Sequence, residues 1–349
     1  LGTIVSTGQN VTLGDSTTAN FGSIDFAGAN VSIKEGSAME IAASEATGTL
    51  NLEAAGAITQ TGAIDADSTA NFVAGANAVT LTNTGNDFSG AVSLSNSGTN
   101  DIGLRDVNNL ELGTITTGQN LAVTASGSIS DSGVITVAGT TTLDNSGGTN
   151  AAIVLDSANV FTGAVSFITD TGSDISIVDT TALDIQALAV NSLSVSAGGD
   201  ISDSGVLDIA TTVSLTTTAS NGNVVLDQAS DFDGALSVVT DGTGTTSITN
   251  LTDSIELGTI TTSQLVLTAA GAIADSGVIT VSGTTALDNS AGTDAAITLD
   301  SGSTYTGDVT FTVDAGSDVT ITDNSAFAIQ SGLNVNNLSI TSTGSVTDL

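Results

Sequence analysis

The sequence predicts an all-β fold, a right-handed parallel β-helix (β-solenoid), from three observations. A unit of about 72 residues repeats along the chain, apolar residues alternate in short runs, and proline is absent. Alternation over short runs is typical of half-buried strands. Stacked strands must donate their backbone N–H groups to neighbouring strands, which proline cannot do. Lysine, arginine and methionine, which favour helices, are nearly absent.

Glycines mark the start of each repeat. The segment GSISDSGVITVAGTTTLDN begins at Gly127 and GAIADSGVITVSGTTALDN begins at Gly271, and these alternate copies are more alike than neighbouring copies. The marker glycines recur at a nearly constant spacing of about 72 residues: Gly56, Gly127, Gly199, Gly271 and Gly344. We therefore expect residues 1–349 to form one continuous solenoid within a longer chain. Its predicted units are 1–54 (partial), 55–125, 126–197, 198–269, 270–342 and 343–349 (partial).

The pattern inside one unit predicts the coils of the solenoid. Similar pieces begin near Ser126, Ala151 and Ile175, which indicates about 24 residues per coil and three coils per repeat. Turn-forming glycine, asparagine, aspartate, serine and threonine separate the apolar runs. Stacked coils place equivalent strands about 4.8 Å apart. The alternating apolar pairs are Ile153 and Leu155, Val165 and Phe167, Ile175 and Ile177, and Leu193 and Val195.

One aromatic position recurs with a glycine two residues later. We expect these aromatic side chains in the interior beside a tight turn, since an exposed row for stacking on sugars would need closer spacing. A string of immunoglobulin-like β-sandwiches is the rival fold, but the unit is short and tryptophan is absent. The recurring pairs are Phe88 with Gly90, Phe161 with Gly163, Phe232 with Gly234, and Tyr305 with Gly307.

The charge of the chain excludes several partners. Lys34 and Arg105 are the only basic residues against 37 acidic ones, which gives a formal net charge of −35. Nucleic acid and anionic membrane surfaces need clustered basic side chains, so neither is expected as a partner. No apolar run reaches the roughly 18–20 residues of a membrane-spanning helix. The sequence therefore predicts no nucleic-acid binding and no membrane insertion.

Catalysis finds little support in the residue types. Histidine and cysteine are absent, so an activated nucleophile beside an imidazole cannot form. Paired carboxylates could hydrolyse glycosides, with Asp200 and Asp203 or Asp231 and Asp233 as candidates, but these acids follow the repeat as turn residues do. We expect a protein that is not an enzyme, with no catalytic, cofactor-binding or metal-binding residue to assign.

Calcium is the cofactor that the sequence leaves open, at acidic turns, although none is required. Calcium needs six to eight oxygen ligands, whereas equivalent aspartates lie about three predicted coils apart and cannot share one ion. Neither an EF-hand loop nor the calcium-binding nonapeptide is present. Solvated turn acids are the simpler interpretation. The recurring acids are Asp131, Asp203, Asp275 and Asp348, then Asp144 with Asp288, Asp156 with Asp300, Asp174 with Asp318, and Asp179 with Asp323.

Threonine runs raise a second binding hypothesis. TITT begins at Thr114, TTTL at Thr140 and SLTTT at Ser214. Flat Thr-x-Thr arrays bind ice in other solenoids, but here the placement along the sequence is irregular. Threonine also serves as a strand former on a solvent-facing surface.

The GSISDSGVITVAGTTTLDN pattern and the Asn-, Gly-, Thr- and Ser-rich strands resemble the repeat shafts of filamentous-haemagglutinin-like bacterial exoproteins. The resemblance covers the entire chain in style, and the shaft has no site residues to transfer. It implies a secreted parallel β-helix at the bacterial cell surface or beyond it. The expected function is an extracellular structural rod: an adhesin shaft, surface fibre, filament or sheath. Expected partners are the chain itself end to end, a longer chain, surface glycans or other cells. Alternatives are a glycan- or ice-binding solenoid module, then calcium-stiffened β-sandwich adhesin repeats.

Overall fold

The computed structural model describes residues 2–14, 19–330 and 332–348, and their regular structure consists of 40 β-strands without a helix. Leu1, residues 15–18, Ser331 and Leu349, which belong to the predicted units 1–54, 270–342 and 343–349, lie outside the description. The chain forms two compact units, unit 1 (Leu1–Val178) and unit 2 (Asp179–Leu349). Each unit is a parallel β-solenoid, and together they contain about 17 turns. The predicted fold class is confirmed, and the β-sandwich alternative is wrong.

Unit 1 consists of short strands separated by turns, and its last strand, β22, runs to the first residue of unit 2. The strands are β1 (Gly2–Val5), β2 (Val11–Leu13), β3 (Ile24–Gly28), β4 (Val31–Glu35), β5 (Met39–Ile41), β6 (Ser44–Ala46), β7 (Leu50–Ala54), β8 (Ile58–Gln60), β9 (Ile64–Ala66), β10 (Ala70–Val73), β11 (Val79–Leu81), β12 (Asp87–Phe88), β13 (Val92–Ser95), β14 (Ile102–Asp106), β15 (Leu110–Thr117), β16 (Leu121–Ala125), β17 (Ile129–Asp131), β18 (Ile135–Val137), β19 (Thr141–Asp144), β20 (Ile153–Phe161), β21 (Val165–Ile168) and β22 (Asp174–Asp179).

Unit 2 has the same organisation with several longer strands. They are β23 (Leu183–Ile185), β24 (Leu188–Ala197), β25 (Ile201–Asp203), β26 (Leu207–Ser220), β27 (Val224–Phe232), β28 (Ala235–Asp241), β29 (Thr245–Asn250), β30 (Ile255–Thr262), β31 (Gln264–Ala269), β32 (Ile273–Asp275), β33 (Ile279–Val281), β34 (Thr285–Asp288), β35 (Ile297–Tyr305), β36 (Val309–Thr312), β37 (Asp318–Asp323), β38 (Phe327–Ile329), β39 (Asn337–Ser342) and β40 (Val346–Asp348).

Strands of successive turns pair in parallel and in register. In unit 1, Ile58 pairs with Val79, Val79 with Ile102, and Ile102 with Leu121. These turns differ in length and scatter around a spacing of ~20 residues. The predicted coil length of about 24 residues is therefore wrong as a general value. It holds only for long turns, such as the one from Ile129 to its partner Ile153.

The repeat does not contain a whole number of turns. Two sheets, sheet A and sheet B, line the solenoid. Of the strands that follow the marker glycines of unit 2, β25 lies in sheet A, β32 in sheet B and β40 in sheet A again. From Ile201, three turns lead through Val224 and Thr246 to Leu265, all in sheet A. The chain then crosses to sheet B at Ile273. One repeat of about 72 residues thus makes three and a half turns rather than the predicted three.

The same half-turn step occurs in unit 1, where β8 lies in sheet A and β17, one repeat later, lies in sheet B. It explains why alternate copies in the sequence are more alike than neighbouring copies. Within unit 2 the copies that are two repeats apart, β25 and β40, occupy the same sheet, whereas neighbouring copies within a unit occupy opposite sheets and meet different surroundings.

Alternate side chains of each strand form the core. Valine, isoleucine and leucine at the inward positions are almost fully buried, and the residues between them face outward, as the pleat of a strand requires. The recurring aromatic side chains, Phe88, Phe161, Phe232 and Tyr305, are at most 1% exposed, which confirms their predicted interior position. The ring of Phe88 meets Phe72 edge to face, with centroids 6.0 Å apart.

Candidate functional site

The recurring Asp-Ser-Gly aspartates join successive turns. One carboxylate oxygen of Asp203 accepts the backbone N–H of Asp227 at 2.9 Å, and Asp275 accepts the N–H of Asp300 at the same distance. Asp131 makes the equivalent bond to Asp156. In each case the acceptor lies one turn before the donor. These hydrogen bonds give the aspartates a structural task that needs no ion. The fourth member, Asp348, is exposed.

Several of the other recurring acids also accept backbone N–H groups. Asp144 accepts the N–H and the hydroxyl of Ser146, and Asp288 accepts those of Ser290. Such contacts are typical of turns closed by an aspartate side chain. Asp323 accepts the backbone N–H groups of Tyr305 and Ser325, and Asp179 accepts the N–H of Thr181. Asp318 accepts the side-chain amides of Asn336 and Asn337. The remaining members, Asp156, Asp300 and Asp174, are exposed.

The two carboxylate pairs proposed for glycoside hydrolysis differ in their surroundings. Asp200 is exposed and accepts the backbone N–H of Asn223 at 2.7 Å, whereas Asp203 is buried and bound to the next turn. Each of these two carboxylates thus serves its own turn. Asp231 and Asp233, in contrast, lie together, and the structure adds a third acid, Asp253, to them.

Asp231, Asp233 and Asp253 form a three-carboxylate cluster in unit 2, here called the acidic cluster. One oxygen of each carboxylate lies within 4.8 Å of the others. The Oδ1 atom of Asp231 is buried and has no hydrogen-bond partner among the described residues. Loss of water around Asp253 raises the pKa of its carboxyl, and the nearby charges of Asp231 and Asp233 raise it further.

A shallow groove lies beside the acidic cluster, with a cavity volume of about 240 Å³. Both acidic and apolar side chains line the groove. Three carboxylates at these distances offer the hard oxygen ligands that calcium prefers. The lining residues are Asp233, Asp253, Ser254, Ile255, Glu256, Ala272 and Ala274.

The equivalent turn of unit 1 lacks the cluster. The aromatic positions align Asp87 with Asp231, and the ELGTITT segment that follows in both units aligns Asn108 with Asp253. In unit 1 the side-chain amide of Asn108 donates a hydrogen bond to Asp87 at 3.0 Å. In unit 2 a second carboxylate replaces the amide, and Asp233 replaces a serine. Asp253 does not belong to the recurring acids, because the equivalent position of unit 1 carries Asn108. A direct comparison of these two segments would have revealed it.

Hydroxyl side chains, with one valine among them, form a row along sheet B of unit 2. The row lies at outward positions of successive strands and contains no charged residue. This alignment could not be predicted from the sequence, because the turns between successive members of the row differ in length. A second, shorter row contains Ser194, Ser214 and Ser237. The members of the first row, in order, are Ser196, Thr216, Val239, Thr261, Thr280 and Thr304.

Of the two basic residues, Lys34 forms an ion pair with Glu53, with Nζ and Oε1 2.6 Å apart. Both side chains are nearly half exposed, so the pair contributes little to stability. Among the described residues no helix is long and apolar enough to span a membrane.

A family model described as repeats of unknown function (DUF5649) matches four segments of the chain. They cover residues 28–95, 99–168, 172–239 and 243–312. The matched segments therefore recur with the same period of about 72 residues as the marker glycines. No curated protein and no solved structure matches the chain.

Proposed function

The chain belongs to this family of repeats of unknown function, and we propose that it serves as an extracellular structural rod. The observation that carries the proposal is the ladder of parallel, in-register strand pairs that runs from turn to turn within each unit. In unit 2, for example, Thr246 pairs with Leu265, Leu265 with Thr285, and Thr285 with Val309. Such a ladder resists bending and stretching because its hydrogen bonds recur in every turn.

The energetics of stacking support a mechanical role. Each fully buried valine, leucine or isoleucine contributes about 1.5–3 kcal/mol from the hydrophobic effect, and every turn adds several such residues to the core. Neighbouring turns supply one another's contacts, so stability grows with the number of turns. A longer array of these repeats is therefore more stable than a short one.

The location that we propose is the bacterial cell surface or the medium around it. The similarity in repeat style to filamentous-haemagglutinin-like shafts supports this location, as does the net charge of −35, which keeps neighbouring molecules apart. We propose that the chain continues into further repeats or joins other copies end to end as an adhesin shaft, fibre or sheath. Surface glycans and other cells would then be its outer contacts.

We further propose that the protein is not an enzyme and requires no cofactor. The hydrogen bonds that most recurring acids make to backbone N–H groups support this view, because they hold the turns without an ion. Of the acidic turns, we propose only the acidic cluster as a place where calcium could bind.

Cryo-electron microscopy of the native material tests the rod directly, with and without a calcium chelator. We expect elongated particles with a layer spacing of about 4.8 Å that persist after chelation. Separate beads on a string would contradict the structural rod. Particles that fall apart on chelation would show instead that bound calcium stiffens the fold.

The hydroxyl row of sheet B favours a second candidate function, a binding face for ice or a neutral glycan. Hydroxyl and methyl groups at the regular strand spacing of about 4.8 Å would meet a partner that repeats along the same direction. Replacement of Thr216 and Thr261 by lysine should abolish adsorption to ice crystals or to an insoluble polysaccharide. If the unaltered protein adsorbs to neither material, this candidate is wrong.

A further inference from the structure

Four of the described aspartates are buried at the ends of strands, and two of them, Asp179 and Asp323, also accept a hydrogen bond from a nearby hydroxyl. Asp106, the last residue of β14 in unit 1, is 0% exposed, and Asp203, the last residue of β25 in unit 2, is 7% exposed. Burial of an ionised carboxylate is costly unless charges or hydrogen bonds compensate it. Asp106 and Asp203 lack such a close hydroxyl donor among the described residues, so the protonation state of their carboxyl groups bears directly on the stability of the fold.

Both carboxyl groups link successive turns through backbone N–H groups. Asp106 accepts the N–H of Phe88 on the preceding turn at 2.7 Å and the N–H of Asn108 at 2.6 Å. Asp203 accepts the N–H of Asp227 on the following turn at 2.9 Å, and its other oxygen lies 3.4 Å from the hydroxyl of Ser230. These bonds stabilise the ionised form in part but supply no positive charge.

The charged groups around Asp106 do not neutralise it. The neighbouring strands β11 and β16 carry no ionisable side chain, and β12 contributes the acid Asp87. Arg105 precedes Asp106 on the same strand, and its side chain points to the opposite face because successive residues of a strand alternate.

The groups around Asp203 are all acidic. Strand β23 contributes Asp184, β26 contributes Asp208, and β27 contributes Asp227 and Asp231. Unit 2 contains no lysine or arginine at all. Neither buried carboxylate therefore has an ion-pair partner among the described side chains, and proton uptake would remove its charge.

The fold accepts a neutral amide at both positions. By the repeat, Asn250 corresponds to Asp106 and is also fully buried, with its amide donating to the carbonyl of Ser254 at 3.2 Å. Gln60 corresponds to Asp203 and accepts the N–H of Asn83 at 3.2 Å. The acids are thus not required for winding, and they add a response to protons that the amides lack.

We propose that Asp106 and Asp203 make each unit a proton-responsive structure, whose stability rises as the pH falls from neutral into the mildly acidic range. The inference concerns the fold itself and stands whether or not the protein is a rod. Burial raises the pKa of both carboxyl groups, and the hydrogen bonds from backbone N–H groups offset only part of this effect.

The direction in which folding stability changes with pH follows from proton linkage. Since the folded pKa is raised above the ordinary value, the folded chain binds more protons than the unfolded chain between the two values. The stabilisation is complete below the ordinary value of about 3.9 and is lost as the pH rises through the raised value. Asp170 and Asp314 act in the opposite direction, because N–H bonds lower their pKa. Their side chains lie at the surface, where solvent weakens the effect.

The test measures thermal unfolding of the full chain between pH 7.5 and pH 4.5 at constant ionic strength. We expect the unfolding midpoint to rise by about 2 °C or more on acidification. The double variant Asp106→Asn with Asp203→Asn should show a smaller rise. Asp308→Asn, at an exposed position, is the matched control and should keep the full rise. A midpoint that falls on acidification, or a double variant with an unchanged rise, would overturn the proposal.

A second measurement covers the case in which the double variant fails to fold. Carboxyl ¹³C chemical shifts of the unaltered chain, assigned through the single variants, report proton binding at each group. We expect the Asp106 and Asp203 signals to titrate above the ordinary range of aspartate. Titration within or below that range would overturn the proposal.

Discussion

At the residue scale, aspartate has two opposite effects on this fold. As a turn acceptor it stabilises, because its carboxylate satisfies backbone N–H groups that would otherwise lack partners. Where acids face one another without a cation it destabilises, since like charges on adjacent strands repel. Asp131 is an example of the first kind, and Asp253 in the acidic cluster is an example of the second.

The contrast between the two equivalent turns leads to a reciprocal prediction. Asp253→Asn should stabilise unit 2 by about 0.5–1 kcal/mol at pH 7, because the amide can donate to Asp231 as Asn108 donates to Asp87. Asn108→Asp should destabilise unit 1 by a similar amount. Urea unfolding at low salt measures both changes, which should shrink in high salt as repulsion is screened. Equal stability of Asp253→Asn and the parent chain would contradict the prediction.

The buried aromatic position allows a second prediction at this scale. Phe88→Ala should destabilise unit 1 by about 3–5 kcal/mol, because it leaves a cavity in a close-packed core and removes the edge contact with Phe72. Val134→Ala is the control, since the Val134 side chain is 41% exposed and should tolerate truncation. Chemical unfolding of both variants provides the comparison. A loss as small for Phe88→Ala as for Val134→Ala would show that the ring does not pack as described.

At the scale of the strand and turn, the close approach of successive turns determines where glycine is required. A Cβ atom at Gly163 would meet the carbonyl oxygen of Gly139 at 2.5 Å, and one at Gly307 would meet that of Gly283 at 2.5 Å. The glycine after each recurring aromatic residue thus lies against the backbone of the preceding turn. The sequence showed the recurrence of this glycine, and the structure supplies its reason.

Gly234 provides the sharpest test of this contact. A Cβ atom there would overlap the carbonyl oxygen of Thr211, so Gly234→Ala must displace backbone. We expect a loss of about 1–3 kcal/mol, as for other overpacked sites. Gly22→Ala is the control, because no atom lies within 4 Å of its added Cβ. Thermal melts of the two variants give the comparison, and an unchanged midpoint for Gly234→Ala would refute the close approach.

At the scale of the whole molecule, the sequence repeat and the turn of the solenoid have different lengths. Alternating apolar residues and the absence of proline were enough to predict stacked parallel strands, because both follow from backbone pairing. The length of a turn could not be predicted in the same way. The short turn from Ile102 to Leu121 contains only short connections between its strands, whereas the long turn from Ile129 to Ile153 includes the longer loop 145–152 between β19 and β20. The segments that suggested the predicted coil length are the long turns.

The acidic cluster shows the same limit for the candidate site. Asp231 and Asp233 stand close together in the sequence and could be named in advance. Asp253 joins them only because the intervening turn brings it to the same corner. The number of residues between Asp253 and the other two acids depends on the length of that turn. The pattern of apolar residues does not determine this length.

Distances between spin labels can measure the half-turn step within unit 2. Ser202 and Ala286 occupy one row of sheet A, four turns apart, so labels there should lie about 19 Å apart. Ala274 is nearer to Ser202 in sequence but lies in sheet B. A label at Ala274 should therefore be farther from Ser202 than one at Ala286 is. A Ser202–Ala274 distance shorter than the Ser202–Ala286 distance would show that one repeat makes three whole turns.

The half-turn step also constrains how such a gene can change length. Unequal recombination between neighbouring repeats removes or adds one copy, and the new junction can still be wound because equivalent strands fit either sheet. Every surface feature downstream of that junction then points to the opposite side. Gain or loss of copies in pairs keeps the side unchanged. Selection for features that must share one side would therefore favour duplication in pairs, as the likeness of alternate copies suggests.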